Sequence, residues 1–281
     1  MRGLALLVAA LLLALPASAK KIERQIIGAE QDHSIAQVGD CGDFFKTVFT
    51  AFPAAANDQE QREISLTGID RLRVTASQEG GVSVRGWSRP AARLIVCRSA
   101  VAQTKVHASR TLEMIKVVHN NGEISAYGPA NDDTQAWWVN IILYVPRRAT
   151  VDVRAANGGV AIRNVDGNVT AHATTGGISV AQGTGSYKIS TESGGITLDR
   201  LSGRVEAASN EGAIAFKVPG GDLPAIEAHT NDDGHILCHL ARCETGLGSW
   251  TSDRKTLRIG GPAPSVKLST AGSAIIIDHV R

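Results

Sequence analysis

Four residues close in sequence, His235, Cys238, His239 and Cys243, are of the types that bind tetrahedral zinc: two thiols and two imidazoles. Cys238 and His239 are adjacent, however, and adjacent side chains on a strand point to opposite faces, which works against a common centre. Two further cysteines, Cys41 and Cys97, make the set even. An even set in an exported chain suits disulfides, and three pairings are possible. The simplest joins Cys238 to Cys243 across a small loop and Cys41 to Cys97 across a long one. All four cysteines are therefore expected in disulfides, with no metal and no other cofactor.

Other chemistry is sparse. Calcium-binding β-rolls need an Asp recurring at Gly-rich turns. The turns here read Asn157-Gly-Gly, Thr175-Gly-Gly, Ser193-Gly-Gly and Glu211-Gly-Ala, without that Asp. Asn231-Asp-Asp-Gly234 is read as a polar turn. Polysaccharide-cleaving β-helical enzymes use clustered carboxylates or basic groups, whereas Asp152 and Glu206 fall three repeats apart. Trp137 and Trp138 are adjacent, so at most one could face a sugar. His172 is expected on a solvent face. No Ser-His-Asp set and no nucleotide-type glycine loop stands out, because the glycines lie between strands rather than before a helix. No catalytic residue is assigned.

The elements that would carry these side chains come from a repeat. Val151-Asp-Val-Arg-Ala-Ala-Asn-Gly-Gly-Val-Ala-Ile is echoed from Val169, Tyr187 and Val205 at a period of 18 residues. Gly158, Gly176, Gly194 and Gly212 mark one corner; Gly167, Gly185, Gly203 and Gly221 mark the other. Each copy holds two short strands that alternate apolar with small or polar residues, so one face is buried and one is wet. The inward ladders are Val151/Val169/Tyr187/Val205 and Val153/Ala171/Ile189/Ala207 in the first strand. In the second they are Val160/Ile178/Ile196/Ile214 and Ile162/Val180/Leu198/Phe216. Outside, Lys188 meets Glu206 and Asp199 meets Lys217. Glycine is expected at the corners for positive φ. A single repeat cannot bury its own apolar face, whereas stacked copies can.

Looser copies start at Leu72, Ile115, Ile226 and Val266. The expected fold is all-β: a parallel β-solenoid (β-helix or two-sheet β-roll) with 18-residue coils over 64–281. A short helix is expected near 98–113, where Ala, Lys and Leu replace the alternation. Residues 20–63 form a less regular N-terminal segment, with one or two helical turns expected over Asp43–Thr50.

Residues 1–19 have the layout of a signal peptide: Arg2, an apolar run from Leu4 to Leu15, and an A-x-A site ending at Ala19. The run is too short for a bilayer core of about 30 Å, and no later stretch is long and apolar enough to hold the chain in a membrane. Export is expected, to the periplasm, the cell surface or the medium. The formal net charge of +2 argues against nucleic acid as the main partner. Few aromatics and 29 glycines suit short strands and tight turns.

Trp138-Val-Asn-Ile-Ile-Leu-Tyr-Val-Pro146, the Val151 repeat block and Gly80-Gly-Val-Ser-Val-Arg-Gly-Trp87 together resemble a bacterial family of exported β-strand-repeat proteins of unknown function, the putative adhesins. The resemblance covers roughly residues 64–281 and implies no catalytic residue. It implies an exported, non-catalytic binding or scaffold protein with a protein or glycan ligand. The alternative is a polysaccharide-active enzyme on a β-helix.

Overall fold

The computed structural model describes residues 24–25, 40–42, 48–49, 52–220, 223–231, 233–245 and 248–279. The proposed leader, residues 1–19, lies outside them.

The N-terminal strands are β1 (Arg24–Gln25), β2 (Val48–Phe49), β3 (Ala54–Ile64), β4 (Leu72–Thr75), β5 (Val82–Trp87) and β6 (Ala92–Ala102). Helix α1 (Lys105–Met114) precedes β7 (Lys116–Asn120), β8 (Glu123–Tyr127) and β9 (Gln135–Pro146). The regular repeats supply β10 (Val151–Ala155), β11 (Val160–Arg163), β12 (Asn168–Ala173), β13 (Ile178–Thr191), β14 (Ile196–Ser209) and β15 (Ile214–Val218). The C-terminal part adds β16 (Ile226–Thr230), β17 (His235–Cys238), α2 (Ala241–Glu244), β18 (Ser249–Trp250), β19 (Thr256–Ile259), β20 (Val266–Thr270) and β21 (Ala274–His279).

The uniform parallel solenoid expected over 64–281 is corrected. Apart from the small β1–β2 pair, the described strands form one curled, mixed sheet of 19 strands. Pairing along one half of the curl runs β7–β8–β4–β10–β12–β13–β14–β20–β16–β19–β18. Along the other half it runs β3–β6–β9–β5–β11–β13–β14–β15–β21–β17. The long strands β13 and β14 belong to both halves. Between them the apolar faces close over one core, which includes Val153, Ile162, Tyr187, Leu198, Phe216 and Ile277.

Three features break the uniform pattern. First, β3, β6 and β9 pair antiparallel. Second, the copy expected from Ile115 is an antiparallel hairpin, β7–β8. Third, the C-terminal strands do not follow chain order: β20 lies between β14 and β16, and β21 between β15 and β17. Charge gives a reason for the third. Lys267 stands in register between Glu206 and Glu227. Stacking β16 directly on β14 would set those two acids opposite each other, and like charges directly opposite destabilise a sheet.

The corners also differ from expectation. Gly158, Gly176, Gly194 and Gly212 do not have positive φ. A side chain at any of them would instead collide with the carbonyl oxygen of Gly80, Gly158, Gly176 or Gly194 respectively, in the neighbouring turn. The left-handed corner positions are Asn164, Gln182 and Arg200, with φ of 58°, 58° and 52°. They sit where the chain passes from one half of the curl to the other. Of the second glycine set, Gly203 has positive φ.

Helix α1 covers only part of the 98–113 stretch, because β6 continues to Ala102. Thr104 caps it, its hydroxyl oxygen accepting from the His107 N–H. Of Asp43–Thr50, the described Val48 and Phe49 are strand rather than helix.

Candidate functional site

The outer faces carry two rows of side chains, set by strand register, and the two rows differ in charge logic. On one half of the curl the register places Glu123, Arg73, Asp152, Thr170, Lys188, Glu206, Lys267, Glu227 and Arg258 on successive strands. Sign alternates along the whole row, with Thr170 the only neutral step. Asp152 is held by Arg73 at 3.4 Å and Arg154 at 3.6 Å, and Glu227 by Arg258 at 2.8 Å. Opposite charges one strand apart attract, so this face is self-compensated.

On the other half, the corresponding row reads Glu63, Arg93, Tyr144, Arg85, Arg163, Ala181, Asp199, Lys217 and Asp278. Its far end alternates like the first row. Its near end does not: Arg85 and Arg163 face each other in register, and Arg93 follows across Tyr144. Aromatic rings hold these cations. The Arg93 guanidinium lies 5.0 Å from the Trp87 ring centroid and 5.8 Å from that of Tyr144. Arg89 stands 5.1 Å from the Trp87 ring and Arg85 6.0 Å from the Tyr144 ring. The two rings are 5.4 Å apart, and the Trp87 indole N–H donates to the Ala91 carbonyl at 2.9 Å. Arg163 donates from Nε to Gln182 Oε1 at 2.9 Å, which steadies its stem. Cation–π contact fixes the position of a guanidinium while leaving its edge N–H groups as donors, and those edges fit oxyanions in a two-pronged way.

At the adjoining corner Arg147 donates to Asp166 at 2.7 Å. That bond holds the Asp166 carboxyl below the usual carboxylate range. Nearby, Tyr187 donates to the Val165 carbonyl at 2.7 Å, and burial pushes its phenol up.

The residues singled out by type fare differently. Cys238 and Cys243 are joined, as are Cys41 and Cys97. The first bond removes both thiolates from the zinc set, and His235 and His239 are exposed. His239 instead lies 3.9 Å from Asp278. The second bond seats Cys41 on the outer face of β6, beside Ile95, Ile142 and Tyr144. Of Asn231-Asp-Asp-Gly234, Asp232 lies outside the described residues. Trp138 is buried beside Phe52 and Val101, and Trp137 is half-buried with its indole N–H donating to Pro129. Trp138 presents no ring face for stacking.

His172 is half-buried, its Nδ1 3.0 Å from Ser190 Oγ. On its other side Arg154 stands in register, a cation where a nucleophile–base–acid set needs a carboxylate. Asp152 and Glu206 are separated by Thr170 and Lys188, so they are not an acid–base pair. Among the described residues no helix is long and apolar enough to cross a membrane.

No family model matches the chain, and no curated protein matches it. Among solved structures it is similar to a putative cell adhesion protein from Clostridium sporogenes, at 10% identity and a TM-score of 0.41, over 80% of this chain and 100% of that one. A putative lipid binding protein from Parabacteroides distasonis gives 11% identity and a TM-score of 0.36, over 81% of this chain and 99% of that one. A putative adhesin from Bacteroides fragilis gives 10% and 0.31, over 81% and 99%. At such values the likeness carries no argument about a ligand, which has to come from the surface itself.

Proposed function

We propose that the chain is an exported, non-catalytic binding or scaffold protein of the cell envelope or surface, which engages its ligand through the outer face of β5, β6, β9 and β11. The observation that carries the reading is the break in charge alternation. Elsewhere along both rows, charged neighbours alternate in sign. At Arg93, Tyr144, Arg85 and Arg163 the register gathers three cations with no acid among them, and a departure from the local rule is where function is to be sought. Export is supported by the leader-like residues 1–19 and by two disulfides, bonds that persist in oxidising compartments.

Co-sedimentation of the purified chain with isolated cell envelopes tests the reading. Saturable binding is expected, with no release of new reducing ends from envelope polysaccharide. Release of reducing ends would favour the polysaccharide-active enzyme. Absence of any saturable binding would remove the binding role.

A further inference from the structure

We infer that the outer face of β6 and β9 is a docking surface for the chain's own N-terminal segment, and that the docking is made on export, when the Cys41 and Cys97 thiols become a disulfide. Elsewhere an outer face is wet: Thr170, Lys188, Glu206 and Lys267 are all exposed. Counting by twos from Arg93 and Tyr144 gives the outward positions of β6 and β9. They are Ile95, Cys97, Ser99 and Val101, in register with Ile142, Asn140, Trp138 and Ala136. None is more than 5% exposed. The inward Val96, Ile141 and Leu143 are buried too, so these two strands are covered on both faces. Arg93 and Tyr144, at the rim of the covered area, are half-buried.

Among the described residues, two side chains of the segment sit on this face. Cys41 packs beside Ile95, Cys97 and Ile142, and Phe52 beside Val101, Ala136 and Trp138. Cys97 and Val101 are about 13 Å apart along the strand, which the chain from Cys41 to Phe52 spans with slack. The hold other than the bond is thin around Cys41. Asp40 and Gly42 on either side are exposed, and the Gly42 N–H donates to Asp40 at 2.8 Å rather than to the sheet. Beneath the segment, Ser99 Oγ and Asn140 Nδ2 are buried without a hydrogen-bond partner. Water would partner both on an open face, so covering them costs free energy. Ordering the segment costs more. The covalent bond offsets these costs by confining the segment to the face.

Closure follows the compartment. Thiols are kept reduced in the cytosol, and disulfides form after export. On the open face Cys97 is accessible and Cys41 is unanchored, so a disulfide-bearing oxidant can react with either. One thiolate attacks the oxidant's disulfide, and the second then displaces the mixed disulfide. Two S–H bonds give way to one S–S bond, and the oxidant leaves as its dithiol with the two electrons and two protons. The finished bond is shielded: Cys41 and Cys97 are both 0% exposed, so an external thiolate does not reach it. Cys238 and Cys243 are partly exposed and have no such shield.

The test compares the purified chain with Cys41→Ser/Cys97→Ser and Cys238→Ser/Cys243→Ser by hydroxyl-radical footprinting and mass spectrometry. In Cys41→Ser/Cys97→Ser, Trp138 should be oxidised several-fold faster, while Tyr187 in the main core, 1% exposed, keeps its protection. In Cys238→Ser/Cys243→Ser, Trp138 should stay protected. An unchanged Trp138 in Cys41→Ser/Cys97→Ser would overturn the inference, because the segment would then dock without the bond. Loss of Tyr187 protection would overturn it too, because the open face would then not belong to a folded chain. A second measurement needs no variant. The native chain is treated with dithiothreitol and alkylated with iodoacetamide. Cys238 and Cys243 should be alkylated about tenfold faster than Cys41 and Cys97, as expected where only one bond is reachable. Equal rates would contradict the shielded closure.

Discussion

Ile178 and Lys188 sit ten residues apart on one strand, β13, and have opposite fates. Ile178 is 2% exposed, in register between Val160 and Ile196. Lys188 is exposed, in register between Thr170 and Glu206. Chemical denaturation should therefore show Ile178→Asp losing about 3 kcal/mol or more, since it leaves a charge in an apolar ladder. Lys188→Ser should stay within about 0.5 kcal/mol. Gly176→Val should lose about 1–3 kcal/mol, because its side chain would meet the Gly158 carbonyl oxygen. A mild Ile178→Asp beside a damaging Lys188→Ser would invert the two faces. These individual positions were legible in the sequence, because a period-two alternation states which side chain is wet. The cause at Gly176 was not, since glycine is demanded equally by positive φ and by close approach of a neighbouring turn, and composition cannot tell these apart.

At the scale of elements, the placement of β20 between β14 and β16 is held by apolar register and by one cation. Val266 and Leu268 continue the ladders of Val205/Ala207 and Ile226/Ala228. Lys267 separates Glu206 from Glu227. Lys267→Glu would put three acids in a row, and denaturation should show a loss of about 1–2 kcal/mol, two cross-strand pairs having changed sign. An unchanged midpoint would mean that the order rests on apolar contacts alone. The disulfides act on elements too. Cys41–Cys97 closes a loop with a sequence separation of 56, Cys238–Cys243 one of 5. By the chain-entropy estimate, removing the first pair with Cys41→Ser/Cys97→Ser should cost about 4 kcal/mol and removing the second about 2 kcal/mol. Non-reducing peptide mapping should return these two pairs, and any other pairing would contradict the seating of Cys41 on β6. The repeat block was readable because its copies are contiguous and regular. The order β14–β20–β16 was not, because Val266 and Ile226 begin equally good copies and only the charge at the second position of each distinguishes them.

The molecule as a whole is one curled sheet with two unlike outer faces: a compensated ladder of alternating charge, and a face whose near end gathers arginine and aromatic side chains. Arg85, Arg93, Tyr144 and Arg163 come from four strands, brought side by side by one antiparallel pairing and two parallel ones. The copy from Leu72 aligns Arg85 with Arg163, but no periodicity signals the β5–β9 and β6–β9 pairings that add Tyr144 and Arg93, so the candidate site stayed hidden even though Trp87, Arg89 and Arg93 are near neighbours in the chain. What the sequence did carry was the all-β class and the alternation of buried and wet positions. The mixed pairing, the out-of-order strands and the arginine row arise from long-range contacts.

The claim that this face is the binding surface is tested most directly by arginine footprinting. Phenylglyoxal modification of the purified chain would be followed by mass spectrometry, with and without saturating isolated envelopes. Arg89, Arg93 and Arg163 should be modified in the free chain and protected several-fold in the bound one, while Arg258, on the compensated row, keeps its reactivity. Protection of Arg258 with Arg89, Arg93 and Arg163 unchanged would place the binding surface on the other half of the curl and contradict the account.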